Sequence, residues 1–382
     1  MANTLTGIIP TLYEALNTVS REMVGFIPAV RRDSNAERAA VDQVVRVPLG
    51  EAGALEDVTP GVSPANSGDT TVGYTDVKIT KSKAAPVRWN GEEQRAVGTS
   101  GTYNQVLADQ FTDAMRKLVN AVEVDLSLAA KTGASRAYGV ASDVPFKTAG
   151  DLSDFAGIAQ ILDVNGAPVV DRQLVLGSSA MANLRGKQSV LFKVNEAGSN
   201  DMLRNGMTDR VQNFALRYSG GIAKHTNGTG ASYVTDGAHA AGITGVKVKT
   251  GTGTVLAGDV LTFDSGTDKY VVGTGIAAAG TLQLNKPGLL SAVADAKTAA
   301  IGVDYVPNAA FARNAIVLVA RAPAVPIGGD SADDAMTITD PVTGMTFEVR
   351  VYRQYRQVKY EVCLAWGCAV VKPEHVALLI GA

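Results

Sequence analysis

The sequence predicts an α+β protein, and three segments of the chain carry that prediction. Residues 102–131 place apolar side chains at three- and four-residue steps, the period of an amphipathic helix. Residues 230–305 show short alternating stretches between glycine turns, a pattern typical of the strands of a small barrel. Residues 347–366, FEVRVYRQYRQVKYEVCLAW, also alternate, but their apolar side chains stand on odd positions in the first part and on even positions in the last.

Composition limits the class of protein. The 382 residues suffice for one large domain or for two to three modest ones. A hydrophobic share of 46% supplies a core and excludes a globally disordered chain. The 35 Lys and Arg residues nearly balance the 37 Asp and Glu residues, for a formal net charge of -2. This balance argues against a dedicated nucleic-acid-binding protein, which usually carries a clear basic excess.

The cysteines and the first residues predict the compartment. Cys363 and Cys368 are five residues apart and point to opposite faces of a strand, so we expect two free thiols in a reducing compartment. The opening MANTLTGIIP lacks the basic and apolar regions of a signal peptide. No apolar run approaches the roughly 20 residues that span a bilayer. We therefore expect a soluble protein that is made in a cytoplasm and has no membrane partner.

Residues 1–40 are predicted to form an arm, in which an amphipathic stretch, TLYEALNTVSREMVGF, precedes the charged RRDSNAER. The four arginines of this region suit either a neighbouring chain or a polyanion. Because four charges give only a weak phosphate signal, docking on a neighbour is the preferred interpretation. These arginines are Arg21, Arg31, Arg32 and Arg38.

Residues 41–90 are predicted to form a long hairpin. The outgoing strand has Val45, Val47 and Leu49 on one side, and the returning strand has Val77 and Ile79 on one face. Residues 50–73 between them are rich in Gly, Pro, Ser, Thr and Asp, which predicts an exposed tip. The acidic residues of this tip are Glu51, Glu56, Asp57 and Asp69.

The central part of the chain mixes helices and strands. The helix at 102–131 would be about 45 Å long, with Thr102 as its N-cap and Gly133 as its end. DLSDFAGIAQILDVNG predicts a short helix, RQLVLG a buried strand, and SSAMANLRG a helix with a serine cap. The barrel pattern then interrupts the alternation of helices and strands. That alternation resumes at NAAFARNAIVLVARAPAVPIGG, so we predict that the barrel is inserted in the central domain.

Motifs for bond chemistry are missing from the sequence. It contains no G-x-S-x-G, Walker, H-E-x-x-H, Cys-x-x-Cys or EF-hand motif. The acidic run DSADD at 330–334 lacks the rest of a calcium loop and is predicted to be solvated. The histidines have no Cys or carboxylate at a ligand spacing and are predicted to be ordinary surface residues. They are His225, His239 and His375. We therefore predict no catalytic residue, no cofactor and no metal site.

The order of these segments resembles the major capsid proteins of tailed bacteriophages, and most of all the coat proteins of the short-tailed Salmonella phages, which carry an inserted β-barrel domain. The most specific stretch is VYRQYRQVKYEVCLAWGCAVVKPE near the C terminus. Three others contribute: FTDAMRKLVNAVEVDLSLAAKTGASRAYG, GVKVKTGTGTVLAGDVLTF and NAAFARNAIVLVARAPAVP. The resemblance rests on order and spacing over nearly the whole chain.

This resemblance implies the tailed-phage capsid fold, divided into six segments. They are an N-terminal arm at 1–40, an extended hairpin loop at 41–90, a peripheral domain at 91–149 with its spine helix at 102–131, the first part of an axial domain at 150–229, an inserted β-barrel domain at 230–305, and the remaining axial and peripheral parts with the C-terminal strands at 306–382.

The resemblance also implies a non-enzymatic function. Copies of the chain would self-assemble into pentamers and hexamers of an icosahedral head that encloses double-stranded DNA. The implied partners are other copies, a scaffolding protein, a portal protein at one vertex, a decoration protein, and packaged DNA through weak contacts. The implied location is the virion, assembled in the bacterial cytoplasm. Two alternatives stay open: the shell of a cargo-holding bacterial nanocompartment with the same fold, and a β-rich surface or adhesion protein.

The change of face within 352–357 is interpreted as a bulge or bend in one long strand. The basic side chains of this strand are expected to meet carboxylates of neighbouring subunits or packaged DNA. The acidic hairpin tip is expected to meet basic groups of the next subunit. The predicted contact residues are Glu51, Glu56, Asp57, Asp69, Arg350, Arg353, Arg356 and Lys359.

Overall fold

A computed structural model describes the chain over residues 9–20, 24–34, 37–49, 60, 73–99, 103–188, 210–264, 266–340 and 344–382. The helices within these ranges are α1 Ile9–Ser20, α2 Phe26–Ala29, α3 Gly91–Thr99, α4 Tyr103–Gly133, α5 Ser153–Val164 and α6 Ser178–Lys187. The strands are β1 Arg31–Ser34, β2 Val44–Leu49, β3 Gly73–Lys78, β4 Lys81–Asn90, β5 Arg136–Gly139, β6 Arg172–Leu176, β7 Arg210–Val211, β8 Phe214–Tyr218, β9 Tyr233–Thr235, β10 Gly245–Lys249, β11 Val260–Phe263, β12 Lys269–Thr274, β13 Gly280–Leu284, β14 Thr298–Ile301, β15 Val306–Ala312, β16 Ile316–Arg321, β17 Asp334–Thr339, β18 Thr346–Gln354, β19 Gln357–Val370 and β20 Val376–Gly381.

The longest helix, α4, follows the apolar stripe that the sequence predicts. Its 31 residues span about 46 Å at 1.5 Å per residue. The stripe is buried in one core cluster together with apolar side chains of β4, β18 and β19. Ala129, three residues after the buried Leu126 and so at a step of the predicted stripe, is half-buried, whereas Ala130 beside it is buried. The helix ends at Gly133 as expected, and the expected cap, Thr102, lies outside the described residues.

The first sheet corrects the interpretation of the C-terminal stretch. Its strand order is β1-β16-β19-β18-β17, and β4 pairs with the other edge of β19. The predicted bent strand is a hairpin of β18 and β19 that turns at Tyr355 and Arg356. Val349 lies opposite Val362, and residues opposite each other in a sheet share a face. Odd positions before the turn therefore face the same way as even positions after it, with no bulge.

The second sheet contains the predicted barrel. Strands β5, β20, β15, β6, β8 and β7 lie side by side, and β5 also pairs with β12. Beyond β12 the sheet closes on itself in the order β9-β10-β13-β12-β11-β14, because β14 pairs with β9 and β11 with β12. The barrel therefore spans residues 233–301 and is filled by apolar side chains such as Val246, Leu261 and Leu282.

The two-stranded hairpin of β2 and β3 stands beside the first sheet. Its base is anchored by Val47, Val77 and Ile79, which are buried against side chains of β16 and β19. Gly367 of β19 allows this close approach, since a Cβ there would lie 2.0 Å from the Lys78 carbonyl oxygen. The returning strand ends at Lys78, and β4 joins β19 instead of extending the hairpin to residue 90.

Residues 150–188 form the predicted helix, strand and helix, and their apolar side chains make a second core cluster. All five residues of β6 are buried, as expected for RQLVLG. The predicted serine cap of α6 is wrong, because the N-cap residue is Gly177. The Gly177 N–H donates instead to Asn308 Oδ1 at 2.7 Å, across to strand β15.

A charge in the stripe of α4 should destabilise the chain. Leu118 is 3% exposed and Val124, on the opposite side of the same helix, is 46% exposed. We expect Leu118→Asp to lower the free energy of unfolding by several kcal/mol, roughly 3–5, because an unpaired carboxylate enters the core. Val124→Asp is the matched control and should change it by less than about 0.5 kcal/mol. Urea titration of both variants checks this, and equal stability of the two would show that the buried face is assigned wrongly.

Candidate assembly surfaces

Two features of the described chain stand out: buried charges that tie its segments together, and apolar side chains exposed to solvent. Within the described ranges, no group of His, Cys, Asp or Glu side chains is arranged to hold a metal ion. The helices of the described chain include none that is both long and apolar enough to cross a membrane.

Glu123 of α4 ties the N-terminal segment to the helix. Its carboxylate is buried and accepts hydrogen bonds from the backbone N–H groups of Gly25 (2.5 Å), Phe26 (2.6 Å) and Ile27 (3.1 Å). Burial raises the pKa of this carboxyl above its ordinary value, and the hydrogen bonds from the backbone and from Ser219 oppose that shift. The N-terminal segment is thus held on α4 through a buried acid that no sequence pattern marks.

The barrel is joined to the end of α4 by a second buried network. His225 lies between Lys131 Nζ, 3.1 Å from its Nδ1, and Asp259 Oδ1, 2.9 Å from its Nε2. Asp259 is fully buried and also accepts from the N–H groups of Gly228 and Leu256. Burial lowers the pKa of Lys131, and the charge of Asp259 opposes this.

The expectation of surface histidines is therefore wrong for two of the three. His225 is buried in this network, and the ring of Tyr305 packs edge-on at 5.2 Å. His239 is also buried, with Nε2 3.4 Å from the Lys247 carbonyl oxygen. His375 is half-buried.

Arg350 is one of the predicted contact residues, and its charge is used inside the chain. It is buried and contacts Asp330 as well as Glu348 Oε1, 3.1 Å from its Nε. Glu348 is also buried, and Arg38 of the N-terminal region donates to both of its oxygens at 2.5 and 3.0 Å. The network links the first residues of the chain to the C-terminal hairpin. Glu348 and Arg350 are two apart on one strand, which is the signal for such a pair.

The other basic residues lie nearer the turn of the C-terminal hairpin. Arg353 pairs with Asp333 of the acidic run, Nε to Oδ2 at 3.7 Å. Arg356 stands 5.6 Å from the ring of Tyr355, which is 87% exposed at the turn. Lys359 pairs with Glu361. Their role between subunits stays a prediction, and the acidic partners Glu51, Glu56, Asp57 and Asp69 lie outside the described residues.

The acidic run at 330–334 has a defined role in this arrangement. Asp330 accepts a hydrogen bond from the Tyr352 hydroxyl at 2.9 Å and contacts Arg350. The Tyr352 hydrogen bond lowers the pKa of the Asp330 carboxyl, and Arg350 adds to that effect. Asp333 accepts from the backbone N–H of Arg353 at 2.8 Å. The predicted solvated loop therefore holds the basic hairpin in place.

Exposed apolar side chains mark surfaces that face solvent in the single chain. On the β2–β3 hairpin, Tyr74 is 57% exposed and lies 4.2 Å under the guanidinium of Arg46. Ile327 is fully exposed in a glycine turn, and Val170 and Tyr355 project from other loops. These side chains come from separate segments of the chain.

The pH dependence of stability should report the buried Glu123. Its pKa is higher in the folded chain than its ordinary value of 4.5. Its contribution to the free energy of unfolding is therefore largest below that value and declines as pH rises through the folded pKa. We expect the free energy of unfolding of the native chain, minus that of Glu123→Gln, to fall as pH rises from 4.5 to the highest pH at which the chain stays folded. Urea titrations across this range measure it, and a difference that does not vary with pH contradicts the assignment.

The joint between α4 and the barrel should depend on Asp259. We expect Asp259→Ala to lower the free energy of unfolding by about 3–5 kcal/mol, because it leaves His225 and two N–H groups without their buried partner. Asp264→Ala is the matched control, since Asp264 is a barrel carboxylate with a 57% exposed side chain that pairs with Lys297 at 2.7 Å. Its loss should cost no more than about 1 kcal/mol. Hydrogen exchange of the barrel strands should become faster in Asp259→Ala. If the exchange rates are unchanged, Asp259 does not hold the barrel on the end of α4.

Comparison with known proteins comes from solved structures, since no protein-family model and no curated protein matches the chain. A chain of Mycobacterium phage Che8 is similar, with a TM-score of 0.44 and 12% identity over 88% of this chain and 84% of that one. The capsid of cyanophage P-SCSP1u has a TM-score of 0.44 and 10% identity over 92% and 86%. The virus-like particle of Pyrococcus furiosus has a TM-score of 0.42 and 11% identity over 97% and 98%.

At these TM-scores the likeness carries no argument about function. Phage capsids stand among the similar structures, as for cyanophage P-SCSP1u, Myoviridae phage XM1 and Ralstonia phage GP4, and phage capsid proteins are the class of protein that the sequence resembles.

Proposed function

We propose that this chain is a major capsid protein that self-assembles into the pentamers and hexamers of an icosahedral phage head enclosing double-stranded DNA. The observation that carries the proposal is the β2–β3 hairpin. Within the described chain its two strands pair with each other and with no third strand. An isolated two-stranded hairpin is marginal in water. Its anchored base and its exposed Tyr74 and Arg46 suit a segment that is completed by a neighbouring copy.

Within this proposal the segments have the roles that the resemblance implies. The described part of the arm at 1–40 is held on α4 and β16 of its own chain, so the hairpin loop at 41–90 is the segment that reaches a neighbour. The helix α4 is the spine of a peripheral domain, and the barrel is an insertion in an axial domain. The proposed partners are other copies, a scaffolding protein, a portal, a decoration protein and packaged DNA. No step of bond chemistry is proposed. Assembly in the host cytoplasm and residence in the virion follow from the same proposal.

We infer that the acidic hairpin tip contacts the basic turn of the next subunit. Glu51, Glu56, Asp57 and Asp69 are the proposed acidic side, and Arg353, Arg356 and Lys359 the proposed basic side. Arg350 contributes less to this contact, because Glu348 and Asp330 already face it. Each exposed pair contributes only about 0–1 kcal/mol, so strength comes from many copies of the same contact in a closed shell.

Removing the hairpin tip should block assembly and leave the monomer folded. We expect replacement of residues 52–70 by a short Gly-Ser link to abolish or weaken closed particles, because the whole contact area is lost at every copy. Sedimentation of assembly reactions and a melt of the monomer measure the two effects. The matched control keeps the length and replaces the four acids of the tip by their amides, which should weaken assembly less. Normal shells from the shortened chain would show that the loop is not an intersubunit contact.

Negative-stain microscopy of the expressed chain tests the proposed function itself. A phage capsid protein should give closed icosahedral shells of uniform size when its scaffolding protein is supplied. Uniform shells that form without a scaffold and enclose a cargo protein would indicate a nanocompartment. A chain that stays monomeric under both conditions would overturn the proposal.

A further inference from the structure

Strand β4 has one edge that no strand of the described chain pairs with. Its ladder to β19 occupies the opposite edge. In an antiparallel ladder, residues whose N–H and C=O groups face the partner strand alternate with residues whose groups point away from it. Just beyond β4 the Gly91 N–H donates to the Arg356 carbonyl oxygen across the ladder at 3.1 Å, whereas the Asn90 N–H donates to Glu93 Oε2 at 3.0 Å. The even-numbered residues of β4 therefore point their backbone groups to the free edge.

A groove lies along this free edge, between β4 and helix α4. Its volume is about 500 Å³, which is within the usual range of ligand-binding pockets. The residues of β4 that line it run without a break from Lys83 to Arg88, so both faces of the strand reach it, as they do at the edge of a sheet. Apolar side chains of the two elements form its floor. They are Ala85, Val87, Ala114, Leu118 and Ala121.

Three exposed cations line the groove and have no ion-pair partner within the described residues. They are Lys83 and Arg88 of β4 and Lys117 of α4. The carboxylate that lines the groove beside them, Asp113, contacts Arg116. An exposed strand edge is a template for pairing, and lysine on that edge opposes pairing with another edge of the same charge. The groove therefore repels a second β4 and attracts an acidic segment.

We propose that this groove binds an extended acidic peptide of a partner protein, which joins the first sheet as a strand beside β4. The Ala84 and Arg88 N–H groups point to the free edge and would donate to the peptide backbone. Pro86 has no N–H, and an outward position on an edge strand is where proline is tolerated. Apolar side chains at alternate positions of the peptide would cover the floor, and its carboxylates would reach Lys83 and Lys117. The site stands on these residues and does not depend on the proposed capsid function.

Binding of a labelled peptide to the full-length chain, measured by fluorescence anisotropy, tests the site. The probe alternates glutamate with valine and has the length of β4, 10 residues. We expect a dissociation constant in the micromolar range that rises with salt, because exposed charges are screened. The double variant Lys83→Glu, Lys117→Glu should weaken binding at least about tenfold, since attraction becomes repulsion, and should keep the native melting temperature. The control Lys247→Glu changes an exposed lysine of barrel strand β10 and should bind the probe like the native chain.

Amide hydrogen exchange tests whether the peptide joins as a strand. The probe should slow exchange at Ser82, Ala84 and Arg88, whose N–H groups point outward, and leave their odd-numbered neighbours unchanged. A probe methylated on alternate backbone nitrogens keeps its charges and should bind at least about tenfold more weakly. No binding of the probe, binding without slower exchange, or equal binding of a lysine-valine peptide would overturn the site. Tighter binding of a peptide of residues 50–73 than of the probe would assign the groove to another copy of this chain and overturn the partner.

Discussion

Burial of one face of α4 is the constraint on which the other contacts depend. The apolar stripe fixes how the helix lies on the first sheet, and three polar residues near its C-terminal end then have fixed partners. Glu123 holds the N-terminal segment. Asp125 accepts from Lys81 of β4 at 2.6 Å and from Trp366 of β19 at 2.8 Å. Lys131 meets His225 at the barrel. A rotation of the helix would break all three contacts at once, so apolar packing and polar specificity support the same arrangement.

The buried charges of this chain act as connectors between segments distant in sequence. Glu348 joins Arg38 to the C-terminal hairpin, and Asp259 joins the barrel wall to the end of α4 through His225. Burying an ion pair contributes little net stability, but removing one partner is costly. The main effect of such pairs is therefore to determine which segments pack together. Their net contribution to the stability of the fold is small. Several apolar side chains on hairpins and loops stay exposed to solvent, among them Tyr74, Ile327 and Tyr355.

The features predicted from the sequence are those that depend on neighbours in the chain. The stripe of α4, the alternation of the barrel and the helix-strand-helix of 150–188 are local periodic patterns, and the structure confirms each of them. An alternating pattern does not show whether the chain continues in one direction or turns back. The sequence is therefore compatible with a bend or with a turn at Tyr355 and Arg356, and the register with Val349 opposite Val362 shows the turn. The partners of Glu123 come from a segment about a hundred residues away, and His225 contacts Lys131, 94 residues away, and Asp259, 34 residues away. No local pattern specifies such contacts. Of the predicted contact residues, Arg350 alone among the described ones is buried.

The ladder between β4 and β19 has a mechanical consequence. Only Ile79 and Thr80 separate the projecting hairpin from β4, so tension on the hairpin passes directly into that strand. β4 is paired with β19 at ten successive positions, from Asn90 opposite Gln357 to Lys81 opposite Trp366. A pull along the strand loads these rungs together in shear, whereas a pull at right angles to it would open them one after another. The same β19 is braced on its far edge by β16 and β18, so the load spreads across the sheet before any single contact bears it.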